Sequence, residues 1–102
     1  MAVFVITKDN MQAEVIDAGQ TVLLDFWAPW CAPCRMLSPV LEQAADEAPD
    51  VKVVKVNIDQ EPELAQQFGI MTIPTLVIIK DGREAKRSVG VISKAEILEL
   101  VK

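Results

Sequence analysis

The chain has 102 residues, 51% hydrophobic and 25% charged, with a formal charge of −5 and six prolines placed singly. One domain spanning residues 1–102 is expected, able to bury about two thirds of its unfolded surface, and the absence of Ser, Gln or Gly tracts argues against disorder and flexible linkers. With three arginines and no basic cluster the surface is unsuited to tracking phosphates, so nucleic acid is not an expected partner.

Val3 to Ile6 is an apolar, mostly β-branched run that reads as a strand. Thr7-Lys8-Asp9-Asn10 stops it, and the spacing of Met11, Val15 and Ile16 predicts a helix closed by Gly19-Gln20. Thr21 to Trp27 is a nearly unbroken apolar strand of the kind covered on both faces, interrupted only by Asp25. After Pro29, the positions Met36, Leu37, Val40, Leu41, Ala44 and Ala45 recur at helical spacing, from Cys31 to about Ala48. Pro39 inside that helix should kink it near Arg35 without breaking it. Val51 to Ile58 reads as a third strand and Pro62 to Phe68 as a short helix ended by Gly69. Thr75 to Lys80 and Glu84 to Val89 are strands joined at Asp81-Gly82, a hairpin signal. Ser93 and Glu96 form a capping box for a last helix whose buried face is Ile97, Leu98 and Val101.

Three strands linked by helical crossovers are expected to be parallel, with the hairpin adding an antiparallel edge to a mixed α/β sheet. In such sheets the site lies beyond the carboxyl ends of the parallel strands, and there, where the second strand passes into a helix, stand Trp30-Cys31-Ala32-Pro33-Cys34. The stretch from Met1 to Ile6 has no basic leader, and no apolar run approaches the ~18 residues of a membrane span. Neither export nor a membrane is therefore expected, and the cytoplasm is the expected setting.

Two cysteines one helical turn apart open and close a disulfide in place. At a helix N-terminus the free amides and the macrodipole favour an anion, which makes Cys31 the nucleophile. Cys34, one turn inward, is expected to be less exposed and to resolve a mixed disulfide once it has formed. Two inert core cysteines would explain one such residue better than a pair at a strand-to-helix junction. A zinc half-site would need a second chain, because there is no His and no third Cys.

Over nearly its whole length the sequence resembles the thioredoxin family. The resemblance rests on Asp25-Phe26-Trp27-Ala28, Trp30-Cys31-Ala32-Pro33-Cys34, Asn57-Ile58-Asp59, Gly69-Ile70, Ile73-Pro74-Thr75-Leu76, the Asp81-Gly82 turn and Gly90. It implies a thioredoxin fold, a central five-stranded mixed sheet in the order first, third, second, fourth, fifth strand, with two helices on each face. It also implies a monomeric protein disulfide reductase that binds no cofactor beyond its own redox-active disulfide. Its partners would be disulfide-containing proteins and an NADPH-dependent flavoprotein, thioredoxin reductase.

The same resemblance assigns Asp25 the proton of Cys34, taken through water, with Lys55 as its electrostatic companion. Read from the residues alone, Asp25 is either a buried carboxyl with a raised pKa or a charge on an edge strand, and Lys55 is either that companion or an outward residue. By resemblance the Ile73-Pro74 bond is cis, and Trp30, Ile73, Pro74, Gly90 and Val91 form an apolar rim around Cys31. Otherwise Trp30, Ile73 and Val91 are core residues, and Pro74 and Gly90 merely serve turns. Ala32 and Pro33 would tune the redox poise; Ala32 replaces the family's commoner Gly, a change that alters poise without abolishing exchange. Met71-Thr72 and the bulkier Val91-Ile92 also depart from the common pattern and bear on which partners fit. An oxidase or isomerase, and a binding subunit indifferent to its cysteines, are the competing functions; a Cys31→Ser, Cys34→Ser variant separates the last from redox work.

Overall fold

A computed structural model describes residues 4–102; Val3, placed above in the opening strand, lies outside them. The elements run β1 (Phe4–Val5), a π-helical turn (Gln12–Ile16), β2 (Val22–Trp27), α1 (Ala32–Glu47), β3 (Lys52–Asn57), α2 (Pro62–Gln67), β4 (Thr75–Lys80), β5 (Arg83–Val89) and α3 (Lys94–Leu100). The strands form one sheet in the order β1-β3-β2-β4-β5. The pairings of β3 with β1 and with β2 are parallel, and β4 is antiparallel to both β2 and β5. This is the order and the mixture that the sequence implied.

Alternation along β2 divides the core in two. Val22, Leu24 and Phe26 join Ile6, Met11, Val15, Val54, Val56, Leu64, Val77 and Ile79 on the face covered by the π-helical turn and α2. Leu23 points the other way, into the layer of Leu37, Leu41, Ala44, Val53, Leu76, Ile78 and Ile97 beneath α1 and α3. Each large apolar side chain so enclosed contributes about 2 kcal/mol relative to exposure. Phe26 also packs against Phe68 in a tilted pair, with ring centroids 5.3 Å apart.

The segment after Asn10 departs from the expected helix in pitch but not in face. Met11 and Val15 are buried as their spacing predicts, yet the Asp17 amide donates to Gln12 O, five residues back, making one wide turn. So short a segment has no second turn to hold it at the ordinary pitch. α1 runs through Pro39 to Glu47 without interruption. Ser93 caps α3 as expected, its Oγ accepting from the Glu96 amide at 3.1 Å while Glu96 Oε1 accepts from the Ser93 amide at 3.1 Å. β5 is the long open edge of the sheet, and six of its seven residues are exposed.

At the β4–β5 hairpin both turn residues are left-handed, Asp81 at φ 54° and Gly82 at φ 77°. Aspartate tolerates this conformation; most other side chains do not. A Cβ at Gly82 would also stand 3.3 Å from Ile16 O. Gly82→Ala is therefore expected to destabilise the fold by about 1–2 kcal/mol, measured by urea unfolding; an unchanged midpoint would show that the turn relaxes freely.

Candidate active site

β2 ends at Trp27, Pro29 cannot extend its ladder, and the chain reaches α1 within a few residues. Cys31 is the N-cap of α1, with φ −90° and ψ 106°, and its Sγ accepts from the Cys34 amide at 3.2 Å. Sulfur here fills the place that a serine or aspartate oxygen usually takes. The junction is tied down on both sides. The Cys31 amide donates to Ala28 O at 3.1 Å, the Arg35 amide to Cys31 O at 3.2 Å, and the Arg35 guanidinium to Pro29 O at 2.8 Å.

Cys31 and Cys34 form a disulfide with Cα atoms 5.3 Å apart. Both residues are 4% exposed, so Cys34 is not the less exposed of the two. In the bridged pair the sulfurs share one packed site, with Ala28 and the half-buried Trp27, Ile58 and Ile73 around it. Their difference lies in position. Cys31 Sγ caps the helix and lies 3.9 Å from Ile73 O, whereas Cys34 belongs to the buried stripe that continues through Leu37 and Leu41. Ala32 and Pro33 occupy the exposed first turn, where proline's missing amide is not needed.

Ile73–Pro74 is cis. Pro74 is buried, and its carbonyl accepts from the Gly90 amide at 2.8 Å, which ties the start of β4 to the chain just beyond β5. Gly90 has φ 93°, and a Cβ there would meet nothing within 4 Å. Backbone conformation rather than crowding selects glycine here. Trp30 and Val91 are 66% and 46% exposed, which rules out core packing for either. Ile73 is half-buried and touches both the disulfide layer and the larger core. The Trp30 indole N–H donates to Asp59 Oδ2 at 3.0 Å, and Asp59 is itself held by its amide donating to Asn57 Oδ1 at 2.9 Å. Sequence reasoning did not mark Asp59 as part of the site; its signal was an Asn-x-Asp turn following β3.

Asp25 lies in the middle of the sheet, paired in register with Lys55 of β3 and Leu76 of β4, and is 2% exposed. The edge-strand reading is thereby corrected: β2 has a neighbour on each side. Lys55 Nζ approaches Asp25 Oδ2 to 3.7 Å, donates to Ser38 Oγ of α1 at 3.0 Å, and stands 5.4 Å from the centre of the Trp27 ring. Lys55 thus turns inward, toward Asp25 and Ser38. Burial pushes the Asp25 carboxyl up from its ordinary 3.8 to about 6, against the opposing pull of the Lys55 ammonium.

The Thioredoxin family model matches residues 2–102. The chain belongs to the thioredoxin family. It is similar to thioredoxin 1 of Synechococcus elongatus, 47% identical over 93 residues that span 90% of this chain and 87% of that protein. The thioredoxin of Chlamydia muridarum is 48% identical over 97 residues, 95% of this chain and 93% of its own. That of Mycobacterium tuberculosis is 45% identical over 94 residues, covering 91% and 81%.

The activity of this thioredoxin-family chain is thiol–disulfide exchange at Cys31–Cys34, with disulfide-bearing proteins as substrates. A surface hollow bounded by Ile16, Gly19, Lys80 and Gly82 lies at the opposite end of β2. Among the described residues no three His, Cys, Asp or Glu side chains gather as a metal site requires, and no helix is long and apolar enough to cross a membrane.

The raised Asp25 pKa has a consequence for stability. Between pH 3.8 and about 6 the folded protein keeps a proton that the unfolded chain releases. The contribution of this group is full below 3.8, falls as pH rises through that window and is lost above it, a change of about 3 kcal/mol. Asp25→Ala is expected to remove this fall and to leave the protein more stable than the parent at pH 8, with the small cavity offsetting part of the gain. Urea unfolding of both proteins at pH 4 and pH 8 measures it; a variant less stable at pH 8 would mean that the carboxylate is well solvated.

Proposed function

We propose that this chain is a cytoplasmic, monomeric, single-domain protein disulfide reductase, recharged by an NADPH-dependent thioredoxin reductase. The observation that carries the reading is the place of Cys31 Sγ. It sits at the N-cap of a 16-residue helix, accepts an amide hydrogen bond and lies beside the backbone of Ile73. In the reduced protein a thiolate there keeps the same amide and the favourable end of the helix dipole.

Cys31 thiolate attacks one sulfur of a substrate disulfide, forming a mixed disulfide and expelling the other substrate sulfur as a thiolate, which takes up a proton. Cys34 then gives up its proton and attacks Cys31 Sγ. This closes the Cys31–Cys34 bridge and expels the second substrate sulfur, so the substrate gains two electrons and two protons in all. The proton of Cys34 passes to Asp25 through water. What supports this is a carboxyl with a pKa near 6 that is able to take up a proton near neutral pH, on the sheet face covered by α1. Lys55 steadies the ionised form. Trp30, Ile73, Pro74, Gly90 and Val91 form the rim that receives the substrate, where the Ile73 carbonyl and neighbouring backbone pair with an extended chain. Ala32 and Pro33 set the poise.

On reduced protein, Cys31 is expected to alkylate first, with a pKa below the free-thiol value of about 8.5. Rates of iodoacetamide labelling against pH, with peptide mapping, test this. A midpoint at or above 8.5, or labelling of Cys34 first, would overturn the assignment. Ala32→Gly is expected to move the reduction potential by no more than about 20 mV, the equivalent of about 1 kcal/mol of helix propensity in a two-electron couple. Equilibration against glutathione reads it; a shift of about 60 mV, or some 3 kcal/mol, would show that Ala32 acts on the thiolate by another route.

A further inference from the structure

Lys55 divides its attention between two oxygen atoms. Its Nζ donates to Ser38 Oγ at 3.0 Å, a good hydrogen bond, and stands 3.7 Å from Asp25 Oδ2, beyond the length of one. Ser38 is half-buried on α1, four residues after Cys34, so the serine and the resolving cysteine share one side of the helix. The lysine side chain is 20% exposed and that of Asp25 3%, so the ammonium has little water to turn to. No buried side-chain oxygen or nitrogen among the described residues lacks a partner.

We propose that Ser38 is a positioning residue for the buried proton acceptor. Its hydroxyl holds the Lys55 ammonium away from Asp25 and so keeps the carboxyl ready to take a proton. A serine hydroxyl is neutral and accepts through its oxygen without competing for charge, whereas a carboxylate with no rival draws an ammonium into contact. Coulomb attraction grows steeply as the pair closes in a site shielded from water. The ion pair is thus kept long by a third group on a different element.

The groups facing Asp25 leave few other causes. β3 supplies Lys55, β4 supplies the apolar Leu76 in register, and α1 supplies Ser38, which reaches Asp25 through Lys55. Lys55 is the charged side chain that lies against this carboxyl, its Nζ 3.7 Å from Asp25 Oδ2. The inference rests on the reading of Asp25 as the acceptor of the Cys34 proton only for its catalytic meaning; the effect on Asp25 itself does not depend on it.

The test is the titration of the Asp25 carboxyl by carbon-13 NMR in the disulfide form of the protein, where neither cysteine titrates. With Ser38→Ala the ammonium is expected to move onto Asp25 and lower its pKa by about one unit, while Ser38→Thr, which keeps the hydroxyl, stays near the parent. In a Lys55→Met background Ser38→Ala is expected to change nothing further, because the group it acts through is gone. An unchanged or raised pKa in Ser38→Ala would overturn the proposal. So would a threonine variant that behaves like alanine, or a full effect of Ser38→Ala with lysine absent. Single-turnover reduction of a disulfide substrate then tests the catalytic reading separately. If Asp25 receives the proton, the pH profile of the resolving step follows the NMR shift downward. A profile that ignores a measured shift sinks Asp25 as acceptor and leaves the role of Ser38 in setting its pKa standing.

Discussion

Strand β2 lies between β3 and β4 with helices on both faces, so the residues from Val22 to Phe26 are enclosed on every side. The chain therefore leaves the sheet at a fixed point and in a fixed direction, and α1 must begin there. Everything at the disulfide depends on that anchorage: the sulfur caps the helix because the strand delivers Cys31 to its first turn. Arg35, Ala28 and Pro29 hold the junction through backbone oxygens. None of these contacts requires the cysteines to be bonded to one another, so the same frame serves the open and the closed pair.

The enclosure that fixes the helix also determines the chemistry beneath it. A carboxyl placed among Leu23, Leu76 and the underside of α1 loses most of its hydration, and the proton becomes the cheaper way to neutralise it. Lys55 opposes this without reversing it, because its distance from the carboxylate is held long and some of its charge is spread toward Ser38 and the Trp27 ring. Stability and reactivity are in tension at Asp25: the group that weakens the folded state above its pKa is the one suited to proton transfer near neutral pH.

Much of the fold could be read from residue order, because local rules and long-range packing agree there. The apolar run of β2, the Asp81-Gly82 hairpin and the Ser93–Glu96 capping box each state their geometry in a few residues. The cysteine pair was equally plain, since strand, proline and helix pattern put it at a sheet's carboxyl end. Other features are products of three-dimensional proximity. The choice for Asp25 between edge charge and buried acid depended on which strands flank β2, which no local pattern states. The contact of Ser38 with Lys55 joins residues 17 apart on a helix and a strand, and serine on a mostly solvent-facing turn gives no warning of it. The wide π turn kept the predicted buried face of Met11 and Val15, so periodicity revealed the burial and missed the pitch. The equal exposure of the two cysteines belongs to the bridged pair and is not stated by their helix positions.

β5 leaves one whole edge of the sheet in water. Arg83, Glu84, Lys86 and Arg87 stand along it, and Arg87 is engaged by Glu84 and by the carbonyl of Phe68. An extended chain laid against this edge would have to strip hydration from these charges before gaining backbone bonds. A protein that exchanges disulfides with other chains risks joining them in an aggregate if they add to its sheet. Its longest open edge is built to refuse them, so non-productive strand addition is discouraged where no sulfur chemistry could follow.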